Sequence, residues 1–83
     1  MNLRKRQQPL GERNIVGVKI EQRRKELNLK QRDLLELLHE SGIEINASAL
    51  SKLEGQVRVV TDMELKCLSI VLGVSVNWLL DLE

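Results

Sequence analysis

Eighty-three residues, a net charge of +1 and a single cysteine bound the reading from the start. A chain this short makes one small domain with a core of marginal size, and Cys67 alone admits no intramolecular disulfide, which points to a reducing, cytoplasmic setting. Trp78 is the only aromatic residue, which argues against modules that stack unpaired bases on aromatic platforms.

The near-zero net charge hides a division. Residues 1–32 hold ten Lys/Arg against three acids, a net of +7, whereas residues 33–83 hold three Lys/Arg against nine acids, a net of −6. A chain divided in this way suits a polyanionic partner on one side, although solvation of a helix and a tail explains the charge equally well. The longest apolar run, Cys67 to Leu80, is interrupted by Ser69, Gly73, Ser75 and Asn77. It is too short and too broken to span a bilayer, and no apolar segment follows the basic start as a secretory signal requires.

In chain order, residues 1–13, "MNLRKRQQPLGER", show no apolar period and predict a flexible basic arm, with residues 14–83 as the folded domain. Helix 1 is expected from about Ile15 to Leu27, with Val16, Ile20 and Leu27 inward, Asn14 capping its start and Asn28 taking the left-handed position at its end. Helix 2 follows from about Gln31 to His39 with Leu34, Leu35 and Leu38 inward. Its start is poorly capped by Lys30, although Asp33 suits the dipole. Gly42 ends it, and Ile43 and Ile45 pin the connection to the core rather than forming a strand. Helix 3 is expected over Ala47–Glu54 with Asn46 as N-cap and Leu50 and Leu53 inward. "TDME" at 61–64 is a capping box that starts helix 4, which runs to Leu72 with Leu65, Leu68 and Leu72 inward and stops at Gly73. Ser75 caps a last helix through Leu82. The expected fold is all-α, a bundle of five short helices.

Catalysis has little material to work with. His39 is the only histidine, and Cys67 falls in a helical apolar pattern as a small core residue. No cluster has metal-ligand spacing, no Gly-rich phosphate loop is present, and Glu36 and Glu40, four apart on one helix face, read as solvated surface. Neither an enzyme activity nor a cofactor or metal is expected.

Helices 2 and 3 carry the strongest signal. A short helix that opens with Gln, a connection, and a second short helix ending in Leu-x-x-Leu-Glu form a helix-turn-helix pattern. Through "VGVKIEQRRKELNLKQRDLLELL", "ASALSKLEG", "VTDMELKCLSIVLGVSVNWLL" and the order of the five helices, residues 14–82 resemble the phage repressor/Cro-type (Xre-like) helix-turn-helix regulators. The resemblance implies a compact bundle of the lambda-repressor-like DNA-binding type. By it, Gln31 would touch the DNA backbone at the edge of the major groove. Asn46, Ala47, Ser48, Ser51 and Lys52 would be the outward positions of the recognition helix, and Arg58 the phosphate contact of the following loop. Arg24 and Glu54 would be the ion pair tying helix 1 to the end of helix 3. The chain departs from the family pattern in four places. The connection from His39 to Ile45 is longer, and Leu35 stands at a position usually held by a small residue. The Gly expected two residues after Glu54 falls one early at Gly55, leaving Gln56, and Val57 replaces the Lys before the loop Arg.

The resemblance implies a regulator, most simply a repressor, acting as a dimer on double-stranded DNA; no sensor domain is expected and no small-molecule ligand is indicated. The competing reading is a module that keeps the fold and works through protein contacts, such as an antitoxin-like or regulatory partner. Each residue also has a plainer role open to it. Gln31 can be a helix-start residue, Asn46 a cap, Lys52 and Arg58 solvated surface, and Trp78 a core residue. Small leading side chains on helix 3 leave base discrimination to few groups, since Ala can meet a thymine methyl and Ser several base edges. Much of any affinity is then expected to be electrostatic and part of the specificity shape-based.

Overall fold

The computed structural model describes residues 9–83, and the basic residues Arg4, Lys5 and Arg6 of the expected arm lie outside them. Five helices follow one another: α1 (Gly17–Glu26), α2 (Gln31–Glu40), α3 (Ala47–Glu54), α4 (Asp62–Leu72) and α5 (Val76–Leu79). No strand occurs among the described residues. No helix among them is long and apolar enough to cross a membrane. The Cα radius of gyration is 12.1 Å, close to the roughly 12 Å of a compact domain of this length.

The core is almost wholly aliphatic. Val16, Ile20, Leu34, Leu38, Leu50, Leu53, Leu68, Leu72 and Leu79 are buried with Cys67, and Leu35, Ile43, Ile45, Leu65 and Trp78 pack half-buried against them. The connection is thus pinned by Ile43 and Ile45 as its alternation suggests, and Leu35 fits at the core margin. The inward stripe of α1 runs from its N-cap Val16 through Ile20 to Arg24, spaced by four, and Leu27 is exposed. Leu27 was expected inward, but it lies beyond Glu26, where the chain already turns away through Asn28 at φ 59°.

All five helices end the same way. A residue in the left-handed region follows each: Asn28, Gly42, Gln56, Gly73 and Asp81. In each case the next backbone N–H reaches back to a carbonyl five residues earlier, as in Leu29 to Arg24, Ile43 to Leu38, Val57 to Lys52, Val74 to Ser69 and Leu82 to Asn77. This closure satisfies carbonyls that a helix end would otherwise orphan. It also corrects the expected length of the last helix. Asp81, at φ 63°, terminates α5 at Leu79, and Leu82 is left exposed instead of helical.

The starts are equally well defined. Asn46 Oδ1 accepts from the Ala49 N–H at 2.7 Å, Thr61 and Glu64 form the reciprocal capping box, and Ser75 Oγ accepts from the Trp78 N–H at 2.9 Å. Asp33 does more than suit the α2 dipole, since its Oδ2 accepts from the Lys30 N–H at 2.8 Å. Asn14 Oδ1 accepts from both Val16 and Gly17 N–H groups at 3.1 and 2.9 Å, just ahead of α1. The end of the expected arm belongs to the fold. The Gly11 N–H donates to the Gly55 carbonyl at 2.9 Å and the Arg13 N–H to the Gln56 carbonyl at 2.8 Å.

Candidate nucleic-acid interface

Helix α3 divides cleanly into two faces. Leu50, Leu53 and Glu54 are buried, while Ala47, Ser48, Ser51 and Lys52 are exposed. Positions 47, 48, 51 and 52 follow the one-and-four spacing that keeps side chains on one side of a helix. Asn46 is exposed too. Its oxygen is committed to the cap at Ala49, which leaves the amide hydrogens for another partner. The small side chains of the first turn leave the helix N-terminus open to close approach by an anion.

What holds that helix is a buried network. Arg24 Nε donates to Glu54 Oε2 at 2.7 Å, and Nη2 to Oε1 at 3.0 Å, a two-point bridge between α1 and the end of α3. Arg24 Nη1 also donates to the Leu29 carbonyl at 2.9 Å, which secures the α1–α2 turn. Gln31 Nε2 donates to Glu54 Oε1 at 2.9 Å, placing the start of α2 against the end of α3. The Arg24–Glu54 pair therefore forms as the resemblance implies. Gln31, expected at the DNA backbone, is a member of this network. One of its amide hydrogens is used, and the other, with the carboxamide oxygen, remains.

Arg58 is likewise not a free cation. Its Nη1 and Nη2 donate to Glu64 Oε1 and Oε2, both at 2.9 Å, in a fork that matches a carboxylate. The fork raises the Arg58 pKa and holds the Glu64 carboxyl below its ordinary value, helped by the Thr61 N–H and opposed by burial. The sequence marks Glu64 as half of a capping box and gives no sign of this second role, because nothing in the spacing of 58 and 64 fixes a loop conformation.

Asn14 is the other residue whose importance the sequence concealed. Besides capping, its Nδ2 donates to the carbonyls of Leu53 at 3.1 Å and Arg58 at 2.8 Å. The start of α1 is thereby tied to the end of α3 and to the loop beyond it. Gly17 makes the approach possible, since a Cβ there would lie 2.4 Å from the Leu53 carbonyl oxygen.

Around this unit Lys30, Arg32 and Lys52 are exposed and make no ion pair among the described residues. The connection contributes the opposite sign through exposed Glu40 and Glu44. His39 closes it: Nε2 lies 2.7 Å from the Ile45 carbonyl oxygen, which can only accept, so this nitrogen carries the hydrogen. Cys67 is a buried free thiol. No family model, curated protein or solved structure matches the chain.

Proposed function

We propose that this protein is a sequence-specific regulator that binds double-stranded DNA, of the repressor/Cro-type helix-turn-helix class it resembles, with α3 entering the major groove. The observation that carries the reading is the two-faced α3. Its outward residues Ala47, Ser48, Ser51 and Lys52 are exposed, and its inner face is locked by the core and by Arg24, Glu54 and Gln31. A major groove about 12 Å wide admits one helix, and a rigidly supported helix positions short side chains at base edges.

In this reading Lys30, Arg32 and Lys52 supply the phosphate charge, with the second amide hydrogen of Gln31 as a backbone donor. The protein acts as a dimer on a two-fold site and represses by occupying it. Arg58 contributes less than its place in the loop suggests, because Glu64 neutralises it. That neutralisation, with exposed Glu40 and Glu44, supports the rival reading of a module that works through protein contacts. The separating experiment selects bound duplexes from random DNA and titrates the winner across a salt series. A selected site whose affinity falls steeply with salt supports DNA binding. No enrichment, together with no retention at low salt, moves the assignment to the protein-contact reading.

A further inference from the structure

The three most exposed large apolar side chains of the described residues are Met63 at 71%, Leu82 at 69% and Ile70 at 68%. Met63 and Ile70 lie seven apart on the outer face of α4. With Ser41, Ile43, Lys66 and Cys67 they line an open groove of about 290 Å³. Pockets for cofactors and drug-sized ligands run from roughly 300 to 1,000 Å³, so this groove sits at their lower limit, and its apolar walls suit one or two side chains. Lys66 is exposed in it and makes no ion pair among the described residues.

Leu82 has the matching chemistry. It is an exposed aliphatic side chain between two carboxylates, Asp81 and Glu83. The segment is held in place on its own chain. Asp81 Oδ1 lies 3.2 Å from Lys19 Nζ, the Leu82 N–H donates to the Asn77 carbonyl at 2.8 Å, and Ser75 Oγ donates to Glu83 Oε2. This anchoring leaves Leu82 outside its own groove and fixes its conformation in advance, which lowers the entropy lost on docking. The Asp81 carboxylate remains largely exposed, with oxygen lone pairs to offer a second cation.

We infer that the α4 groove is the docking site for Leu82 of a second copy of this chain. Leu82 enters between Met63 and Ile70, and the flanking carboxylates face Lys66. The exchange is reciprocal about a two-fold axis, which closes the pair and covers all three exposed side chains in both copies. The inference gives the dimer of the proposed function its contact surface, and it stands whether or not DNA is the ligand.

The test is analytical ultracentrifugation of the whole chain without DNA over a concentration series, with circular dichroism to show that each variant is folded. Wild type is expected to associate with rising concentration. Ile70→Glu and Leu82→Glu should each weaken association tenfold or more, and neither side chain belongs to the core. Lys66→Glu should weaken it as well, by setting like charges opposite each other. A mixture of the Ile70→Glu and Leu82→Glu chains keeps one intact groove and one intact Leu82 per pair, so it should associate more strongly than either variant alone. A wild type that stays monomeric overturns the inference. So does a dimer indifferent to Leu82, which would pair groove with groove, or one indifferent to Ile70. A mixture no stronger than its components overturns it too. Duplex binding is measured separately, so its failure leaves these outcomes readable.

Discussion

Glu54 receives three side-chain donors at the point where α1, α2 and α3 meet, two from Arg24 and one from Gln31. Both charged groups are buried, with Glu54 at 1% and Arg24 at 7% exposure, so removing one strands the other in a medium that solvates charge poorly. Arg24→Ala should therefore lower unfolding free energy by about 3–5 kcal/mol, a large share of the roughly 5–15 kcal/mol typical of a domain. Gln31→Ala removes a single hydrogen bond to a charged group and should lower it by about 1.5–3 kcal/mol. Urea denaturation of both variants checks the order, and equal losses would mean that Arg24 is not bearing a buried charge. The Arg58–Glu64 bridge makes a separate statement about pH. Its hydrogen bonds hold the Glu64 carboxyl below its ordinary value, so the folded chain binds this proton less readily than the unfolded chain. The stability it contributes is complete above the unfolded value, roughly pH 4.3, and is lost as pH falls through the lower folded value. Arg58→Met should flatten that acid limb, as read by thermal unfolding between roughly pH 5 and pH 3. An unchanged slope would mean that the bridge does not persist in solution.

The starts of α3, α4 and α5 were legible because each is written in a short-range code. Asn46, Thr61 with Glu64, and Ser75 accept from the N–H groups expected of caps. For α3 the cap has a measurable consequence. Asn46→Ala should destabilise the protein by about 1 kcal/mol, whereas Asn46→Ser should stay near wild type, because a serine oxygen can accept the same hydrogen bond. Melting temperatures decide it, and an Asn46→Ala protein as stable as wild type would leave the residue a surface role only. The helix ends were legible only where the left-handed residue is Asn or Gly. Asn28, Gly42 and Gly73 announced themselves, whereas Gln56 and Asp81 hold the same conformation without a sequence signal. The silent Asp81 is why α5 ends earlier than its sequence suggests, whereas Leu27 turns outward at an end that Asn28 does signal, one residue before the left-handed turn. Gln56, standing where the resembled family has Gly, still adopts the backbone conformation that Gly favours, and its Nε2 donates to the Gly11 carbonyl at 3.2 Å. Contacts of long sequence separation left no trace in periodicity. Asn14 to Leu53 and Arg58, and Gly17 against α3, depend on where the loop after Glu54 passes, and no spacing rule fixes that path.

On the scale of the whole molecule, charge placement separates the two Arg/Lys classes that the sequence had treated alike. Arg58 reads from the sequence as a phosphate clamp, but the folded chain pairs it with Glu64, whereas Lys52 on the outer face of α3 has no ion partner among the described residues. Binding to duplex DNA releases one set of counterions for each phosphate neutralised, so the logarithm of affinity falls with the logarithm of salt by about 0.9 per contact. Lys52→Ala removes a net positive charge and should flatten that slope by about one unit per protomer. Arg58→Ala removes half of a neutral pair and leaves the buried Glu64 carboxylate unbalanced, so it should mainly lower stability and change the slope through that uncompensated charge. Arg58→Ala combined with Glu64→Gln removes both charges and should return the slope to near wild type. Ser48 carries no charge, and its change to Ala should leave the slope alone. It should instead alter the preferred base at one position of the selected site, by about 1–3 kcal/mol if the hydroxyl meets a base edge. The measurement is a titration of each folded variant against the selected duplex and its single-base variants at several salt concentrations. If the Arg58/Glu64 double variant flattens the slope as much as Lys52→Ala, the bridge opens on DNA and Arg58 acts as a clamp after all. If neither Lys52 nor Ser48 matters to affinity or base preference, α3 is not the recognition element. The protein-contact reading, already supported by exposed Glu40 and Glu44, then becomes the one to pursue.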